Sequence, residues 1–281
     1  MKFRSYQYNF KENTCCENTI EDRYNSIDQY VLSLPLGVYT TVRTVQKTRI
    51  FQFKFHLDRL VESIKLSGTN FPYCIDDIRQ SLFRKIEKFP TKEVRIRFFI
   101  PLNDVNKCFI NLEELVVPSK SAYKFGIRVN TNSLLRENPT AKLTSFITKS
   151  EKIKRFCKEN GFEESIMLNS NNDLLEGLSS NFFAILDNEI YTADKDVLDG
   201  ATRRIILEEA NKAKISCHYN PINYEQVDEI SEAFISSTSR GVLPVISIDG
   251  FQINNGKPGK ITTFLIYKLN ECMLDEAETI I

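Results

Sequence analysis

Hydrophobic and polar positions alternate in recognisable blocks along the chain. From Gly37 to Phe53 the text GVYTTVRTVQKTRIFQF is rich in Val, Thr, Ile, Phe and Tyr, the residues that fill strands. The polar break Gln46-Lys47-Thr48 predicts a hairpin tip. In the following FHLDRLVESIKLSG, Leu57, Leu60, Val61 and Ile64 recur at helical spacing, and Gly68 closes the helix as its cap. A second periodic stretch runs from about Asp76 to Lys88 and stops before Pro90. EVRIRFFIP alternates charged and apolar residues at its start, which predicts a strand with one wet face, and KCFINLEELVV reads as another strand. Strand pairs with helices over residues 1–117 predict a small α+β domain.

The stretch Val117-Pro118-Ser119-Lys120-Ser121 has the composition of a turn, so residues 118–123 are expected to link two domains. Beyond it, 124–281 reads as a larger domain. FGIRVNTN is a strand, IKRFCKENG a helix ending at Gly161, and ESIMLNSNNDLLEG a strand, a turn and a new strand. SNFFAILDNEIYTA is a hairpin turning at Asp187-Asn188. GATRRIILEEANKA is an amphipathic helix, EAFISSTSRGVLPVISIDG a buried strand, a polar loop and a further strand, and PGKITTFLIYKLNECML the closing helix.

Composition narrows the function classes. The 281 residues are 42% hydrophobic and 26% charged, ordinary for a globular chain. Lys+Arg and Asp+Glu both number 37, and this balance argues against a dedicated nucleic-acid binder. No window reaches the ~20 apolar residues of a membrane helix. Met1–Thr19 lacks the pattern of a signal peptide, so a cytoplasmic location is expected. The seven cysteines, an odd number in a chain this long, read as reduced thiols. With two histidines there is no Cys/His zinc spacing, and no metal is expected.

Four polar constellations carry candidate chemistry. Arg59 lies one helical turn after His56 and has the planar fork suited to phosphate, though a surface arginine would read the same way. In LDGATRR a glycine precedes Thr202 at a helix opening; Thr202 either caps the helix or stands where an anion meets its N–H groups. Ser236–Ser239 follow a buried strand and adjoin Arg240, as either an anion loop or a polar turn. Glu176 sits between apolar strands; buried there, it needs a partner. No Walker loop, G-x-G-x-x-G or G-x-S-x-G elbow is present.

Taken in order, GVYTTVRT, HLDRL, a lysine after proline, EGLSSNFF, LDGATR and SSTSRGVLPV resemble the class IV (fold-type IV) aminotransferases, from about Gly37 to Thr262. That family includes branched-chain aminotransferases, D-amino acid aminotransferases and aminodeoxychorismate lyases. The resemblance implies a two-domain α/β (α+β) fold, a small N-terminal domain and a larger β-barrel-like one, with pyridoxal 5'-phosphate as cofactor. It implies a Schiff-base lysine thirty-odd residues before Glu176; Lys142 lies 34 residues before it, whereas Lys149, Lys152 and Lys154 read as solvated helix charges. By the same resemblance Glu176 pairs with the pyridine nitrogen, and Arg59 binds the phosphate. Ala201 and Thr202 form the phosphate-binding helix end, Thr238 and Ser239 form a second phosphate loop, and Asn181 is a supporting residue.

Tyr39, Arg43, Arg95, Arg97 and Arg240 are candidates for the substrate side. Arg95 and Arg97 project to the same side of their strand, as a carboxylate clamp or a solvated face. The implied activity is amino transfer between an amino acid, branched-chain ones among the candidates, and a 2-oxo acid. The rivals are a lyase releasing pyruvate from aminodeoxychorismate and a non-catalytic metabolite-binding relative. A cytoplasmic homodimer is implied, with no nucleic-acid or membrane partner. Tyr39-Thr40-Thr41 stands where some relatives carry an aromatic-Glu pair, and Arg240-Gly241 where many carry a small or acidic pair, which bears on the substrate rather than the cofactor.

Overall fold

The computed structural model describes residues 3–280. In chain order the elements are β1 (Phe3–Asn9), β2 (Thr14–Glu17), α1 (Ile27–Leu32), β3 (Gly37–Val45), β4 (Arg49–Ile50), α2 (Phe53–Leu66), α3 (Ile78–Glu87), β5 (Val94–Pro101) and β6 (Lys107–Glu114). There follow α4 (Lys120–Phe125), β7 (Ile127–Asn132), α5 (Ser145–Asn160), β8 (Glu164–Leu168), β9 (Leu174–Gly177), β10 (Asn181–Leu186) and β11 (Glu189–Tyr191). The chain ends with α6 (Ala201–Lys212), β12 (Cys217–His218), β13 (Glu232–Ser237), β14 (Gly241–Ile248), β15 (Phe251–Gln252), α7 (Lys260–Asp275) and β16 (Glu278–Thr279). No helix among the described residues is long and apolar enough to cross a membrane.

The chain divides into two compact units. The first holds the residues up to Val116, the segment Ala141–Thr148 and the described residues from Met273 onward; the second holds Val117–Thr140 and Lys149–Cys272.

Unit 1 is built on a seven-stranded antiparallel sheet in the order β16-β4-β3-β5-β6-β1-β2. Gln46 and Lys47 take φ of 53° and 71°, so the hairpin tip falls where the polar break predicts it. Helix α2 buries Leu57, Leu60 and Ile64 against this sheet's core. It ends in a Schellman arrangement: Thr69 N–H donates to the Ile64 carbonyl at 3.3 Å and Gly68 N–H to that of Lys65 at 2.9 Å. Gly68 supplies the required positive φ, 74°. Each fully buried Leu or Ile of this face contributes roughly 1.5–3 kcal/mol.

One strand lies where no element was predicted, and one expectation differs from the structure. The N-terminal stretch contains β1, which pairs with β6 on one side and β2 on the other, its Tyr6 and Tyr8 buried in the sheet's apolar core and its Phe3 in a second apolar cluster with Tyr30. The predicted wet face of β5 is only partly wet: Arg95 stays partly exposed, whereas Arg97 is only 6% exposed and pairs with Asp28 of α1.

Unit 2 carries a nine-stranded sheet. β9 pairs with β8 on one side and with β10 on the other, so β10, β13, β14, β7, β8 and β9 close into a ring. The closing contact is a single residue pair, Asn181 opposite Glu176. The ring's β14–β7 and β7–β8 contacts are parallel, with α5 as the crossover between β7 and β8. Apolar side chains from all six strands fill the core, among them Val129, Ile166, Leu174, Phe182, Ile235 and Leu243. Ser119, expected in a linker, caps α4, accepting from Ala122 N–H at 3.2 Å.

Candidate active site

Lys142 is fixed through its backbone. Tyr39 N–H donates to the Lys142 carbonyl at 3.0 Å, and Lys142 N–H donates to Ser63 Oγ at 3.3 Å. Two residues on, Thr144 N–H donates to the Gly37 carbonyl at 2.9 Å, and Thr144 Oγ1 bonds both Gly37 N–H and C=O at 3.2 Å. Leu143 bridges to Val38. The start of β3 thus serves as a seat for the lysine segment. Gly37 is required there, because a Cβ would collide with the Phe99 ring and the Ile100 carbonyl. The Lys142 Nζ lies 5.1 Å from the centroid of the Tyr39 ring. Ser63, buried on α2, donates in turn to the Arg59 carbonyl at 2.9 Å.

Arg59 and His56 meet at Thr40. Arg59 Nη2 donates to Thr40 Oγ1 at 3.3 Å, and His56 Nδ1 lies 3.1 Å from the same oxygen. His56 is fully buried, and burial pushes its pKa well below the ordinary histidine value, helped by the Arg59 and Lys142 charges. The imidazole is therefore neutral, and the cationic groups of the cluster are Arg59 and Lys142.

The two arginines of β5 each have a carboxylate partner within the unit. Arg95 pairs with Glu113, and Arg97 pairs with Asp28 of α1 while its guanidinium lies 5.0 Å from the centroid of the Tyr39 ring. The solvated-face alternative for Arg97 fails because α1 covers it.

In unit 2 the ring closure holds Glu176. Its Oε1 accepts from Arg136 Nε at 2.7 Å, and its Oε2 accepts from Leu198 N–H at 3.1 Å and Asn181 Nδ2 at 3.3 Å. Both partners of the Glu176–Arg136 pair are almost wholly buried, 2% and 5% exposed. Asn181 Nδ2 also donates to the Leu198 carbonyl at 2.8 Å, which draws the segment before α6 against Glu176. Gly200 begins α6 with no side-chain cap, and the place of its missing Cβ is filled by Asn181 Oδ1. Ala201 and Thr202 are buried in the helix's first turn. At the far end of β13, the Ser236 hydroxyl is buried without a partner, and Thr238 and Ser239 form the turn that follows.

Arg240, expected on the substrate side, has partners within unit 2: its Nη2 donates to Glu164 Oε2 at 2.7 Å and to Ser179 Oγ at 2.9 Å. Burial alone would raise the Glu164 pKa, but the Arg240 guanidinium and hydrogen bonds from Ser179 and the Ser165 N–H outweigh it and hold the carboxyl below its ordinary range.

Unit 1 therefore brings together Lys142, Tyr39, Arg59 and Arg97, and unit 2 brings together Glu176, Asn181 and the opening of α6. Sequence reading passed over Arg136, Ser63 and Glu164. Only Glu164 carried a signal, a charged residue opening an otherwise apolar strand. No cluster among the described residues has the composition of a metal site.

The family model described as amino-transferase class IV matches residues 37–248. The branched-chain-amino-acid aminotransferase of Pseudomonas aeruginosa is 26% identical over 253 residues, covering 83% of this chain and 82% of that protein. That of Escherichia coli K12 is 24% identical over 269 residues, covering 86% and 85%. Among solved structures, the Thermoproteus uzoniensis branched-chain aminotransferase with norvaline matches with a TM-score of 0.79 at 19% identity, covering 99% of both chains. A T.th. branched-chain aminotransferase with pyridoxamine 5'-phosphate matches with a TM-score of 0.78 at 19% identity, covering 99% of this chain and 98% of that one. These structural likenesses bear on the fold, and it is the family model, spanning most of the sequence, that decides membership: the chain belongs to the class IV aminotransferases.

Proposed function

We propose that the protein is a pyridoxal-phosphate-dependent aminotransferase moving an amino group between an amino acid and a 2-oxo acid, with branched-chain amino acids as the first donors to test. The observation that carries this reading is the seat of Lys142, a lysine held by backbone bonds to Tyr39 and Ser63 with its Nζ over an aromatic face.

Class IV aminotransferases use pyridoxal phosphate, and the residues here fit it. Glu176 is a buried carboxylate with donors on both oxygens, suited to keep a ring nitrogen protonated. The opening of α6 carries no side-chain cap, which suits a phosphate at Ala201 and Thr202. Ser236, at the strand end before Thr238 and Ser239, offers a buried hydroxyl without a partner. When bound, the cofactor supplies an electron sink for charge developing at the substrate α-carbon. Lys142 Nζ would hold the cofactor and would move the proton at the substrate α-carbon. Arg59 binds the phosphate with its planar fork, beside a neutral His56 that adds no competing charge.

Arg240 is a sequence candidate for the substrate side, where a guanidinium would suit a substrate carboxylate. Its pairing with Glu164 leaves no observation that favours the lyase reading. A homodimer remains part of the proposal, and sedimentation as a stable monomer would count against it.

The test is a half-reaction. Holoenzyme is mixed with leucine, isoleucine or valine without a 2-oxo acid, and conversion of the visible band to the pyridoxamine form is followed. Conversion by any of the three supports the proposal. No conversion, together with pyruvate release from aminodeoxychorismate, overturns it in favour of the lyase.

A further inference from the structure

We propose that Arg240 is a positioning residue that locks two loops of unit 2 into one body: the turn Leu178–Ser180 after Glu176, and the turn carrying Thr238 and Ser239. This deepens the proposed function and rests on it for the roles of Glu176, Thr238 and Ser239.

One guanidinium reaches both loops. Nη2 donates to Ser179 Oγ at 2.9 Å and to the Ser179 carbonyl at 3.2 Å in the first loop. Nε donates to Ser237 Oγ at 3.2 Å at the end of β13, where the second loop begins, and the Arg240 N–H approaches the same hydroxyl at 3.4 Å. Glu164, at the start of β8, anchors the arrangement. Its Oε2 accepts from Arg240 Nη2 at 2.7 Å, Ser179 Oγ at 2.8 Å and Ser180 Oγ at 3.1 Å. The pair is sheltered, with side chains 14% and 4% exposed. Tyr123 of α4 fixes the backbone from another direction, donating to the Arg240 carbonyl at 2.6 Å.

Two glycines allow this approach. A Cβ on Gly177 would meet Ser180 Oγ and the Glu164 side chain. Gly241, next to Arg240, takes a φ of 64° that ends the loop and starts β14. The first loop joins Glu176 to Asn181, the pair that closes the ring, and the second presents Thr238 and Ser239. Because Glu164 neutralises Arg240, the guanidinium orders these donors without acting as an anion ligand itself. Loops ordered before binding lose less freedom when a ligand arrives.

The test uses the full chain with both charges removed together, Arg240→Met with Glu164→Gln, so that no buried charge is left unpaired. In the cofactor-free protein, amide hydrogen exchange is expected to speed up at least about tenfold in 178–180 and 238–241 together, while β10 and β13 keep their protection. Titration with pyridoxal phosphate and with inorganic phosphate is expected to show about tenfold weaker binding of each. Arg240→Lys keeps the ion pair without the fork and is expected to recover part of the loss. Unchanged exchange and affinity, or faster exchange in one loop alone, would overturn the proposal. If the double variant does not fold, Ser237→Ala decides: it removes the Nε contact and spares the ion pair, and unchanged exchange in both loops would overturn the lock. If the wild-type protein takes up no pyridoxal phosphate, the functional reading falls, while the exchange measurement still decides the lock.

Discussion

The two units place their key side chains by opposite means. In unit 1 the sheet is open and antiparallel, and Lys142 belongs to a short segment, Ala141–Thr148, inserted from a distant part of the sequence. Main-chain bonds to the first residues of β3 hold it, so its position owes little to its own side chain. In unit 2 the sheet closes on itself, and Glu176 is one half of the closing pair. Its position depends on its own carboxylate, which binds Arg136, Asn181 and the Leu198 N–H. A side chain seated by backbone is replaceable without structural damage. A side chain that is itself the seat is not.

The sharpest way to break this contrast is Lys142→Ala. The backbone seat survives alanine, so turnover is expected to fall about a thousandfold or more with melting unchanged. A large fall in melting temperature would show that the seat needs the side chain. Glu176→Gln is the counterpart. It leaves the buried Arg136 guanidinium without its counter-charge, so unfolding titration is expected to report a loss of about 3–5 kcal/mol together with weaker cofactor binding. If Glu176→Gln proved as stable as wild type, the ring closure would not depend on the carboxylate.

Gly200→Ala sharpens the picture of unit 2. Its Cβ would displace Asn181 Oδ1, and phosphate affinity at the α6 opening is expected to fall about tenfold, read by titration with pyridoxal phosphate. The smallest effect lies in unit 1. His56 has a lowered pKa when folded, so both states are neutral above about pH 6.5 and the stability is fully present there. Below that pH the unfolded chain takes up a proton that the folded chain refuses, and stability falls by up to about 1.4 kcal/mol per pH unit. His56→Asn should remove that part of the slope, seen as a smaller shift of the urea midpoint between about pH 7.5 and 5.5.

Local patterns were legible in the sequence. The α2 periodicity and the turns at Gln46-Lys47 and Asp187-Asn188 stand where spacing and turn chemistry put them, and the strand–loop–strand around Ser236–Arg240 is present with Ser236 and Ser237 inside β13 rather than in the loop. β1 carried an alternation, Tyr6-Gln7-Tyr8-Asn9-Phe10, whose three aromatic residues are buried in the core, but the polar and charged residues around it hid the strand. Arg97 misled for a related reason: a charge in an alternating strand reads as solvated, and only the fold brings Asp28 and Tyr39 over it. Glu176 was legible as a carboxylate among apolar residues. Arg136 was not, since nothing in LLRENPTAK distinguishes it from a surface arginine.

The central claim is that Lys142 carries the cofactor. The direct measurement is the visible spectrum of the purified protein before and after borohydride, followed by mass analysis of the labelled peptide. The account predicts a yellow band that borohydride bleaches, with the label on Lys142. A colourless protein that takes up no added pyridoxal phosphate, or a label on another lysine, would contradict it.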